Sequence, residues 1–202
     1  HPPPSAAVFA AGPSDSPREF AQVSERYAAR LPAGLPVLET YADDLGLTDA
    51  KALLTSELNL GGALVSYVGH SSYSIWGLNP THGILLWAND ARALTNASPH
   101  LVTQWGCWNT YFVNPQQDTM ANGFLLQAHG AAAVLGATAL TNLDTLQGLG
   151  EAFFTQVGRR ATLGDALLRA QQVYVQANPT AARDLRGFAL LGDPAAELRT
   201  SP

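Results

Sequence analysis

The sequence contains a single cysteine, Cys107, in 202 residues. No disulfide can form within the chain, and thiolate metal sites that need two or more cysteines are excluded. Charge is scarce as well. The 11 Lys and Arg against 16 Asp and Glu leave a net charge of −5, and charged residues make up only 13% of the chain. With so few cations and no basic run, there is no electrostatic footprint for nucleic acid. Apolar runs are short, and none reaches the ~18–20 residues that span a bilayer, so no transmembrane segment is expected in this piece. The five histidines, at 1, 70, 82, 100 and 129, show no H-E-x-x-H spacing, which argues against a zinc enzyme. Methionine occurs once, as Met120, and the first residue is His1. The chain therefore reads as an excised piece of a longer protein, and the lack of a signal peptide carries no information about location.

Hydrophobic residues make up 47% of the chain, enough to exclude disorder and to fill one sizeable core. Short apolar runs at 6–11 (AAVFAA), 35–41, 63–68 (ALVSYV), 101–105 (LVTQW), 131–136 (AAAVLG) and 188–191 read as buried strands, with 84–87 as an edge or loop segment. Amphipathic segments lie between them. Ser16, Pro17 and Glu19 read as N-cap, first-turn proline and capping-box acid of a helix carrying Phe20, Val23, Tyr27 and Leu31. Thr48 reads as the cap of a second helix, and 119–127 as a third. Helices at 143–157 and 163–176 follow, the last capped by Thr162 with Asp165 in its first turn. Apolar strands alternating with helices predict an α/β domain, a mostly parallel sheet with helices on both faces. A single domain over 1–202 is expected, with 1–5 as proline-rich linker.

In open α/β sheets, ligands bind outside the carboxyl ends of the strands. Two strong strands end in Gly69-His70 and Gly106-Cys107, so an imidazole and a thiol are expected at one rim. Cysteine peptidases need that pair, a thiolate nucleophile with a histidine within reach. Taken alone, a lone cysteine is more often inert packing, and a lone histidine beside glycine is more often a surface turn residue.

Residues 62–76 (GALVSYVGHSSYSIW) and 101–112 (LVTQWGCWNTYF) resemble the histidine and nucleophile segments of gingipain-type cysteine peptidases. The likeness continues in order through 120–126, 131–138, 162–171 and 188–194. It implies a caspase-like three-layer sandwich that hydrolyses peptide bonds, in a protein secreted or held at a bacterial cell surface. It also implies Cys107 as nucleophile, His70 as general acid, and an oxyanion site formed by the N–H groups of Cys107 and Ser71. Ser71 departs from the glycine usual after the histidine. The implied partners are a protein or peptide substrate and other domains of the parent chain. No cofactor is required by this reading, although some family members carry structural calcium, whose ligands the sequence does not place.

Three further positions keep two readings each. Asp15, after the first strand, either orients His70 or forms a local turn. Asp144 either selects a basic substrate side chain or is a first-turn helix acid. Trp76 and Trp108 either wall the cleft or pack internally. Two rivals to the peptidase stay open: a catalytically silent scaffold or binding module, and a serine hydrolase using Ser71 or Ser72.

Overall fold

The computed structural model describes residues 6–78 and 83–198. The expected linker at 1–5 lies outside them. The elements are β1 (Ala7–Ala11), α1 (Glu19–Ala28), β2 (Val37–Tyr41), α2 (Ala42–Leu45), α3 (Leu47–Leu60) and β3 (Leu64–Val68). Next come β4 (Ser71–Ser72), β5 (Ile75–Trp76), β6 (Leu86–Trp87), α4 (Ala88–Arg92), β7 (Leu101–Trp105), α5 (Met120–Leu125) and β8 (Ala133–Ala137). The chain ends with α6 (Leu143–Val157), α7 (Leu163–Ala177), α8 (Ala182–Leu185) and β9 (Phe188–Gly192).

Six strands form one sheet in the order β2-β1-β3-β7-β8-β9. All neighbours run parallel except β8 and β9. Strands β1, β3, β7 and β8 are buried along their whole length, which explains their continuous apolar runs. Side chains alternate between faces with period two. Phe9, Leu64 and Trp105 join Tyr27, Phe153 and Phe154 on one side, while Val8, Tyr67 and Val102 join Leu54, Trp76 and Phe124 on the other. Each such Phe or Leu contributes about 1.5–3 kcal/mol of burial free energy. The three layers are α1, α6 and α7, then the sheet, then α3, α4 and α5. This is the α/β sandwich expected from the alternating pattern.

Local details differ from the sequence reading at several helix starts. Ser16 is not the cap of α1: the helix begins at Glu19 behind Arg18, whose φ of 55° turns the chain sharply. The Ser14 hydroxyl, not Ser16, accepts a hydrogen bond from Phe20 N–H at 3.0 Å. Thr48 lies inside α3, whose cap position is Gly46. By contrast, Thr119, Asn142 and Thr162 each accept the N–H three residues on. The segment at 84–87 supplies β6, which completes a small antiparallel sheet with the unanticipated hairpin β4-β5.

His100, just before β7, is fully buried, and its Nδ1 donates to the Gly62 carbonyl at 2.8 Å. Burial pushes its imidazole below the ordinary 6.5, against the opposing pull of the carbonyl. The folded chain thus resists a proton that the unfolded chain accepts. The stability tied to a neutral His100 is whole above pH 6.5 and is lost as pH falls from there through the lowered folded-state value. The unfolding temperature is expected to drop between pH 7.5 and about 5, with a smaller drop in His100→Asn, which keeps a donor for Gly62 but does not titrate. Equal drops in the two proteins would show that His100 is not the source.

Candidate active site

Three adjacent strands, β1, β3 and β7, deliver their following loops to one rim of the sheet. The chain reverses direction across the sheet here, since β2 lies on one side of β1 and β3 on the other. That crevice is where open α/β sheets hold ligands. The loops carry Asp15, Gly69-His70 and Gly106-Cys107 respectively. Val68 pairs with Trp105, and Gly69 N–H donates to the Trp105 carbonyl at 3.1 Å. The histidine and cysteine segments therefore leave the sheet side by side, at the ~4.8 Å spacing of paired strands.

His70 is exposed, and its Nε2 lies 2.7 Å from Oδ2 of Asp15. A carboxylate only accepts, so Nε2 carries the proton and Nδ1 is left for chemistry. Phe20 meets the imidazole edge-on with ring centres 5.1 Å apart. The His70 carbonyl accepts from the Tyr67 hydroxyl at 2.6 Å, and that hydroxyl accepts from Gly77 N–H at 2.6 Å. Burial raises the Tyr67 phenol far above its ordinary range, so it stays a donor. The Asp15 loop is tethered on both sides. Ser14 N–H donates to Asp43 at 3.1 Å, and the Arg18 guanidinium forks onto both Asp44 oxygens, holding that carboxyl below its usual range.

Cys107 is a half-buried free thiol, and its sulfur is hydrogen-bonded to Thr141. The Thr141 N–H donates to Sγ at 3.4 Å, and the Thr141 hydroxyl lies 3.5 Å away. Among the described residues no hydrogen bond joins the sulfur to His70. The peptide unit after the cysteine is held at both ends. Its carbonyl accepts from Ser71 Oγ at 2.7 Å, and its N–H, on Trp108, donates to the Ala139 carbonyl at 3.1 Å. Trp108 consequently sits at φ 59°, uncommon for so bulky a residue. Asn109 Nδ2 donates to Ser71 Oγ at 3.1 Å, and Asn109 Oδ1 accepts from Ala137 N–H at 3.1 Å. Ser71 is buried with its hydroxyl committed as donor and acceptor, which argues against Ser71 as a nucleophile. The Gly77-to-His70 bond flanks the Ser71–Trp76 pair, so Ser71 N–H lies outside the hairpin ladder.

The other expected residues are scattered. Trp76 does not wall the cleft: it is fully buried, stacked on Tyr67 at 4.6 Å, with Nε1 donating to Gln104 at 2.8 Å. Trp108 is half-buried and packs with Tyr73 and Tyr111. Asp144 is the exposed second residue of α6, a first-turn acid at a helix start already capped by Asn142. Sequence reasoning missed Tyr67, Asn109 and Thr141. Only Asn109, a polar residue two places after the cysteine in an uncharged stretch, left a trace there. Among the described residues no group of three or more His, Cys, Asp or Glu side chains could hold a metal ion, and no helix is long and apolar enough to cross a membrane.

The sequence model of peptidase family C25 matches residues 4–199. None of the curated proteins matches the chain. Solved structures do. The crystal structure of the Arg-specific cysteine proteinase gingipain R superposes with a TM-score of 0.71 at 17% identity, over 97% of this chain and 47% of that one. The complex of Porphyromonas gingivalis RgpB pro- and mature domains gives 0.69 at 17%, over 98% and 48%. A third structure, of a protease, gives 0.72 at 16%, over 100% and 50%. At such identity the likeness establishes the caspase-like fold. The chain spans about half the length of these structures.

Proposed function

Because the chain belongs to peptidase family C25, we propose that it is a cysteine endopeptidase domain in which Cys107 attacks the peptide carbonyl and His70 protonates the leaving amine. The observation that carries this reading is the meeting of the His70-Asp15 pair and the Cys107 segment at the ends of adjacent parallel strands. Asp15 orients His70 by accepting from Nε2, which leaves Nδ1 toward the chemistry. The Cys107 thiol gives its proton to His70 Nδ1, and the resulting thiolate adds to the carbonyl carbon, giving a tetrahedral oxyanion beside a protonated imidazole. The N–H groups of Cys107 and Ser71 stabilise that oxyanion, commonly the largest electrostatic contribution in acyl transfer. Collapse expels the amine, which takes its proton from His70, and leaves a thioester on Cys107. Water, giving a proton back to His70, then releases the acid. Ser71 in place of glycine fits this scheme. Its side chain clamps the Cys107 carbonyl while its N–H stays out of the ladder. No step of this scheme calls on a metal or cofactor. Protein or peptide substrates, further domains of a longer chain and a secreted or surface location belong to the same reading.

A silent scaffold module is the second reading, and the thiol's bonding to Thr141 instead of His70 favours it. Apo cysteine–histidine geometry is often loose, so this observation does not outweigh the first reading. A peptidyl acyloxymethyl ketone separates the two. The expected result is one covalent adduct, on Cys107 by peptide mapping, with hydrolysis falling in step with labelling. Hydrolysis that survives complete labelling would end the proposal.

A further inference from the structure

Beside the nucleophile, three rings pack together. Trp108 meets Tyr73 at 5.7 Å and Tyr111 at 5.2 Å, and Tyr73 meets Tyr111 at 5.2 Å between ring centres. All three are half-buried, and the cluster joins the hairpin after His70 to the loop after Cys107. Leu140 stands between Ala139, which holds Trp108 N–H, and Thr141, which holds the cysteine sulfur, and it is 74% exposed. Charge is absent from these loops. Residues 69–78, 83–87, 106–117 and 138–143 contain no Asp, Glu, Lys or Arg.

We infer that this cleft takes an uncharged apolar or aromatic side chain next to the scissile bond, against Trp108 with its Tyr73 and Tyr111 neighbours, and does not select arginine or lysine. The inference rests on the peptidase reading and names its substrate class. The backbone supports it. Trp108 holds a left-handed conformation that glycine would adopt without strain, so the turn alone gives no reason for an indole at this position. A cationic side chain, by contrast, would need a carboxylate in the cleft to offset its desolvation. Of the acids at this rim, Asp15 is committed to His70, Asp43 accepts from Ser14 N–H, Asp44 is paired with Arg18, and Asp144 sits exposed on the first turn of α6. An arginine lying on the rings would gain a cation–π contact. Without a carboxylate beside it, that contact is worth less than burying a whole aromatic or aliphatic side chain.

The test is a peptide panel varying the residue on each side of the scissile bond among Phe, Tyr, Leu, Ala, Asp and Arg. For the protein, kcat/KM for Phe, Tyr or Leu peptides should exceed that for Arg peptides by about tenfold or more. In Trp108→Ala that ratio should shrink by about tenfold, and Tyr111→Ser provides the same readout if the first variant fails to fold. The same peptides are titrated into Cys107→Ala by calorimetry. Apolar peptides should bind more tightly than Arg peptides, and the difference should vanish when Trp108→Ala is added. A preference for Arg, or a ratio unmoved by the Trp108 and Tyr111 variants, overturns the inference. If no peptide is hydrolysed by protein or variant alike, the peptidase reading fails separately. The binding titration then decides the inference by itself: apolar selectivity upholds it, and equal binding ends it.

Discussion

Cys107→Ala is expected to lower peptide hydrolysis by roughly 10⁴-fold or more while leaving the fold in place. The size of the loss follows from the lack of a substitute nucleophile. Ser71 Oγ, close by, is buried and donates to the Cys107 carbonyl while accepting from Asn109, so its proton and one of its lone pairs are already held and attack would break both bonds. Residual catalysis would come only from oxyanion stabilisation and binding, which survive loss of the nucleophile. Stability should hardly move. The sulfur is half-buried and its three partners are the N–H, the carbonyl and the hydroxyl of the partly exposed Thr141. A shift in unfolding temperature of no more than about 3 °C is expected. Steady-state hydrolysis with a thermal melt reads both numbers. A variant that cleaves peptides at the wild-type rate would remove Cys107 from the mechanism.

The second large effect is at the residue before the cysteine. Gly106→Ala is expected to cost about 1–3 kcal/mol of stability and to lower kcat by about 100-fold or more. A methyl group on Gly106 would overlap the Gly69 carbonyl and the Ser71 hydroxyl. The first is backbone and cannot swing away. The second is the group that holds the Cys107 carbonyl. Relief therefore requires β3 and β7 to part at the end where His70 and Cys107 emerge, and a displacement near 1 Å is enough to cost two orders of magnitude in rate. Kinetics with calorimetric unfolding tests this. A stable Gly106→Ala with normal kcat would show that the two strand ends need not be held so close.

The difference between these two predictions shows where the sequence was readable. Cys107 and His70 stood out because each follows a buried strand and a glycine, a local pattern of six or seven residues. Gly106 looked only permissively small. Its tight constraint comes from Gly69 and Ser71 on the neighbouring strand's loop, and no window around residue 106 contains them. The same contrast runs through the helices. The start of α7 was legible because Thr162 and Asp165 stand at cap and third position of one turn, whereas α1 begins late because the loop before it is pulled onto α2 by Arg18 and Asp44. The choice between cleft and core for Trp76 was not legible for the same reason. Its pairing with Tyr67 and Gln104 turns it inward, and both partners lie on other strands.

By itself, the sequence determined a layered α/β domain and the two strand-end residues that define its candidate chemistry, because apolar periods of two and 3.6 residues are written along the chain. Only the tertiary structure decided that β3 lies against β7, that Asp15 reaches His70 across 55 positions, and that Thr141 reaches the cysteine sulfur across 34. Those contacts depend on strand order and loop closure, which are set by how whole layers bury their apolar faces, and no local run of residues encodes that.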